Sequence, residues 1–94
     1  MDTKEQFIYN LFIGIDVSKK TMDVALVDEF GKRMKHKKFL NNQFGFESCI
    51  EWIGTFYCEG RVLFCLEHTG VYSRLLSMFL QDNGFTICME SGFV

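Results

Sequence analysis

Two continuous apolar runs constrain this chain more than any other feature. "LFIGID" occupies residues 11–16 and "VLFCLE" residues 62–67, and each run ends on a single carboxylate. An unbroken apolar run of this length predicts a strand buried on both faces, as in the centre of a sheet. A carboxylate closing such a strand is costly unless something pairs with it. Asp16 and Glu67 therefore mark either polar strand ends or a site.

The intervening segments set the topology. In "TMDVALVD" apolar residues alternate, which predicts a second strand. "DEFGK" follows as a turn, with Gly31 free to take positive φ. "RMKHKKFL" reads as a polar third strand, placed at a sheet edge. After Asn41 and Asn42, both good caps, Phe46, Ile50, Ile53 and Tyr57 recur at helical spacing and predict a helix over 43–57. A second helix starts near Gly70, with Tyr72, Leu75, Leu76, Phe79 and Leu80 as its apolar stripe and Asn83-Gly84 as its stop. "FTICME" is the last strand.

The order β-β-β-α-β-α-β predicts an α/β fold with a mixed sheet. The strands at Leu11 and Val62 should be neighbours, joined by a right-handed crossover through the first helix. If they are parallel, Asp16 and Glu67 sit at the same end of the sheet. Like charges held together call for a cation between them. Mg²⁺, or Mn²⁺, suits a site with few carboxylates and several waters, and points to phosphoryl chemistry.

Composition narrows the class. The 94 residues are 48% hydrophobic, with eleven phenylalanines and no proline, which suits one small domain without a proline-rich linker; residues 1–10 read as flexible or peripheral. A net charge of -2 is not that of a free-standing nucleic-acid binder. Yet Lys32, Arg33, Lys35, His36, Lys37 and Lys38 crowd together. That stretch reads either as a solvated strand edge or as a patch facing phosphate. Cys49, Cys58, Cys65 and Cys88 have no metal-ligand spacing and read as reduced core thiols of a cytoplasmic protein. The polar start is unlike a signal peptide, and no apolar run approaches the ~20 residues of a membrane helix.

"FIGIDVSKKTMDVALVD" together with "LEHTGVYSRLLSMFLQDNGF" resembles the amino-terminal domain of DEDD-type insertion-sequence transposases, relatives of the RuvC resolvase with an RNase H-like fold. The resemblance runs over residues 12–85. It implies that Asp16 and Glu67 are the first two acids of the DEDD set and bind Mg²⁺. It implies that Ser18 and Lys19 lie beside the metal or a phosphate. Lys20, Thr69, Gly70 and Tyr72 join them as nucleic-acid contacts, with Gly70 permitting a tight turn and Tyr72 either packing or reaching a nucleic-acid backbone. DNA is the implied partner, with a structured guide RNA beside it.

This chain departs from the pattern at His68, where the family has a small residue or proline, and at "MESGFV", where it continues into Asn-Pro. The last two aspartates of the set have no counterpart here, and Asp82 and Glu90 are not placed to replace them. The expectation is therefore one partial catalytic domain, incomplete at its carboxy-terminal side. Such a piece should bind metal weakly, be inactive alone and associate with itself. Two other readings are an actin-like or sugar-kinase-like nucleotide-binding lobe and a non-catalytic module that pairs with full-length transposase. The first needs a glycine two residues past Asp16, where this chain has Ser18.

Overall fold

The computed structural model describes residues 9–56, 62–67 and 71–90. Strands β1 (Leu11–Val17), β2 (Thr21–Asp28) and β3 (Arg33–Leu40) are followed by helix α1 (Gln43–Gly54), β4 (Val62–Glu67), a 3-10 turn (Val71–Ser73), α2 (Arg74–Asp82) and β5 (Thr86–Glu90). They form one five-stranded sheet in the order β3-β2-β1-β4-β5. The first three strands are an antiparallel meander; β4 runs parallel to both β1 and β5. This is the RNase H-like α/β arrangement, with β3 at the edge and β1 beside β4.

Each turn follows from its residues. Asp28 Oδ1 accepts from the amides of Phe30 and Lys32, each at 2.9 Å, and Gly31 takes φ 85°, closing the β2–β3 turn. Gly84 takes φ 81° after α2. Both conformations are strained for any residue with a Cβ. Asn42 is the cap of α1, its Oδ1 accepting from Gly45 N at 2.8 Å. The helix ends at Gly54, short of the expected 57. Thr55 tightens the last turn there, its amide and its hydroxyl both donating to Trp52 O. Tyr57 lies outside the described residues.

The core lies on one face of the sheet. Ile13, Met22, Val24, Leu26 and Phe64 project onto it, and Phe46, Cys49, Ile53, Leu76 and Leu80 close it from the two helices. The helices touch through Phe46 and Phe79, whose ring centroids are 5.4 Å apart. Full burial of β1 on both faces is not observed: Leu11, Ile13 and Ile15 are buried, while Phe12 and Gly14 are half-buried and Asp16 is exposed. α1 and α2 cover only the first set, because alternate residues of a strand face opposite ways.

The helical stripe also needs correction. Leu76 and Leu80 are buried and Phe79 partly so, but Leu75 is 63% and Tyr72 47% exposed. The cysteines differ among themselves. Cys49 is buried, and burial pushes its thiol up to about 12. Cys65 is intermediate and Cys88 exposed, so neither is a core thiol, and Cys58 lies outside the described residues. At pH 8, iodoacetamide should label Cys88 within minutes and leave Cys49 unmodified until the chain unfolds, since the thiolate is the reacting form. Mass spectrometry of the labelled peptides reads this directly; equal rates would contradict the placement of Cys49.

Candidate active site

The site is built at the carboxyl ends of β1 and β4. Their register pairs Ile15 with Leu66, and Asp16 and Glu67 are the next residue on each strand. The register extends this rung outward. Asp16 is opposite Asp23 on β2, and Glu67 is opposite Glu90 on β5. Four acidic residues thus occupy one row across four neighbouring strands. The sequence reading found two of them. Asp23 was hidden by its place in an alternating strand, while Glu90 was considered and set aside for its nearness to the end of the chain; the register places it opposite Glu67.

Like charges directly opposite on paired strands destabilise the pair. Asp23 is relieved by the edge strand: the Lys38 ammonium Nζ lies 3.4 Å from its Oδ1, and His36 Nε2 lies 3.6 Å from the same oxygen. Asp16 is exposed and has no ion-pair partner among the described residues. It opens onto a shallow cleft of about 490 Å³, lined with Gly14, Asp23, Ala25, Arg33, His36 and Cys65 among others. The small residues Gly14 and Ala25 keep the floor low, so the carboxylate is reachable from solvent. Among the described residues no three His, Cys, Asp or Glu side chains converge where they could hold a metal ion. Asp16 and Asp23 supply two carboxylates.

The turn after Asp16 is closed by hydrogen bonds. Ser18 N donates to Thr21 O at 2.8 Å, and the Ser18 hydroxyl bonds the same carbonyl at 3.0 Å. Lys19 and Lys20 stand exposed on that turn. Asn41, read from sequence as a helix cap, ties it down instead. Its Nδ2 donates to Ser18 O at 3.0 Å and to Tyr72 O at 3.1 Å, and its backbone amide donates to Lys20 O at 2.9 Å. Its Oδ1 is buried and accepts no hydrogen bond from the described residues. One side chain thus joins the Ser18-Lys19 turn to Tyr72, far away in sequence. Nothing in the local sequence distinguished Asn41 from Asn42 for this task. Lys19, Tyr72 and Arg74 border a second hollow of about 540 Å³. His68, Thr69 and Gly70 lie outside the described residues.

A five-stranded mixed sheet with acidic residues at the ends of its central parallel strands is an arrangement suited to metal-assisted phosphoryl chemistry. The family model of DEDD transposases of the IS110 type, described as a transposase, matches residues 13–93. The chain belongs to that transposase family. No curated protein matches it. Among solved structures, a Ppx/GppA family member from Aquifex aeolicus is 10% identical with a TM-score of 0.44, over 90% of this chain and 36% of that one. A second structure of the Aquifex aeolicus PPX-GPPA enzyme is 8% identical with a TM-score of 0.45, over 88% and 36%. The chain spans about a third of the length of these structures. No helix of the described residues is long and apolar enough to cross a membrane.

Proposed function

We propose that this chain is the amino-terminal part of the catalytic domain of a DNA transposase, with Asp16 and Glu67 as two of its metal-binding acids. One observation carries the reading: in a chain of this family, the two carboxylate-ended strands are parallel neighbours, and both acids follow the same rung. The two acids offer oxygen donors, and Asp16 faces solvent with no ion-pair partner among the described residues, which fits a hard divalent ion such as Mg²⁺ or Mn²⁺. Such an ion, when bound, polarises a phosphodiester and lowers the pKa of bound water.

The chain's own residues do the rest. Asp16 and Glu67 supply the anchoring carboxylates. Ser18 fixes the turn, and Lys19 and Lys20 meet phosphate as point charges. Tyr72, held by Asn41, stands at the side of the same end, and Thr69 and Gly70 precede it in the chain. DNA is the substrate in this reading and a structured RNA the second partner. The nucleotide-binding lobe is disfavoured by Ser18, whose amide and hydroxyl are both spent on Thr21 rather than open to a phosphate.

By itself the 94-residue chain binds metal weakly and cleaves no DNA, because the later aspartates of the DEDD set have no counterpart in it. An NMR titration with Mg²⁺ should move the amides around Asp16 and Glu67 and leave those around Lys35 in place. Movement at Lys35 alone would refute the site. Incubation with linear and branched DNA in Mn²⁺, beside an Asp16→Ala control, should give no cleavage by either chain. Cleavage by the wild type alone would show that these residues already suffice.

A further inference from the structure

The 3-10 turn and helix α2 together carry a second apolar stripe that the core does not use. Leu76 and Leu80 face inward at 1% exposure each, while Val71, Leu75 and Met78 face outward at 77%, 63% and 48%. Both hollows beside α2 share Leu75 and Met78. The larger, about 700 Å³, lies between α1 and α2 and is bordered by Glu47, Glu51 and Asp82. The other is bordered by Lys19 and Arg74. The strip is therefore apolar in its middle, acidic at one end and basic at the other.

Its charges are set against the helix that bears them. Arg74, Met78 and Asp82 are spaced i, i+4, i+8 and so form one row along α2. Arg74 sits in the first turn and Asp82 in the last, with no acid in the first turn and no base in the last. A helix dipole favours the opposite arrangement, anions at the N-terminus and cations at the C-terminus. Neither residue has an ion-pair partner among the described residues.

We propose that the outer face of α2 is a homodimer contact, in which two copies pack antiparallel about a two-fold axis at Met78. Arg74 and Asp82 each lie four residues from Met78, about 6 Å along the axis. The two-fold therefore brings Arg74 of each copy to Asp82 of the other, twice. It also sets each unfavourable charge beside the opposite charge and runs the two dipoles antiparallel. Glu47 and Glu51 add to the acidic end and Lys19 to the basic end. A self-complementary patch is what an isologous interface requires. A nucleic acid would instead need one sign of charge along the strip. This contact is independent of the metal-site reading and distinct from pairing through the outer edge of β5, the last strand of the described sheet.

Sedimentation equilibrium of the 94-residue chain at low salt should show a monomer–dimer equilibrium that weakens with added salt. Met78→Glu should raise Kd at least about tenfold. Arg74→Asp or Asp82→Arg alone should each raise it about tenfold, since symmetry turns one reversal into two like-charge contacts. The Arg74→Asp/Asp82→Arg double variant should return Kd to within about threefold of wild type. Circular dichroism melts check that each variant is folded, and all three positions are exposed, so the fold should survive. A monomer at every concentration overturns the proposal. So does a dimer whose Kd ignores the charge reversals, which would place the contact away from the outer face of α2.

Discussion

A Gly45→Ala variant should lose about 3 kcal/mol of stability, while Gly54→Ala in the same helix should gain about 0.5–1 kcal/mol. Gly45 is buried in the first turn of α1, where the helix presses on the end of β3. A Cβ there would run into the Leu40 carbonyl, with the Leu40 backbone nitrogen also within 2.9 Å. Both obstacles are backbone, so no side chain can rotate away; α1 must lift off the sheet. Around Gly54 nothing lies within 4 Å, so alanine there only reduces the freedom of the unfolded chain. In a domain whose total stability is about 5–15 kcal/mol, the first change is a large fraction. It corresponds to a fall in melting temperature of about 12–24 °C. Thermal and urea melts of the two variants test this, and equal, small effects would mean that α1 does not seat on Leu40.

The second large effect concerns Asp16. Asp16→Asn should weaken Mn²⁺ binding at least about tenfold, since losing even an outer-shell partner of a metal site costs about that much. Without metal, the same variant should be more stable than wild type by about 0.2–1 kcal/mol, because Asp16 is directly opposite Asp23 and the row continues to Glu67 and Glu90. Opposite signs in the two measurements are the signature of a carboxylate kept for function. A structural strand-end residue would lose stability on substitution and leave metal binding unaltered. Asp23→Asn provides the contrast. It strands His36 and Lys38 without their shared acceptor, so its stability gain should be smaller or absent. Calorimetry with Mn²⁺ and melts in a chelator supply both readings.

Much of the path to this site is written locally. The apolar runs ending on Asp16 and Glu67 needed only strand periodicity to be seen, and the switch to helical spacing at Phe46 located α1. Gly31 and Gly84 announced their turns because few other residues tolerate positive φ. The motifs around Asp16 and Glu67 were specific enough to indicate the transposase family before any coordinates.

What stayed hidden depends on register and on contacts between distant segments. Asp23 and Glu90 become neighbours of the site only once strands are aligned, and alignment is a property of pairs of strands. Asn41 and Asn42 are chemically identical. Asn42 caps α1 because its carbonyl meets Gly45 N, while Asn41 is turned toward Ser18 and Tyr72. The exposure of Tyr72 and Leu75 was equally unreadable, since an apolar residue at helical spacing faces the core or a partner according to which way the helix is rolled. Element order, the turns and the carboxylates that close the two apolar strands are legible from the chain alone, because each rests on bonds and periodicities within a few residues. The acidic row, the tether at Asn41 and the outward strip on α2 emerge from the folded arrangement, because each requires knowing which segments lie side by side.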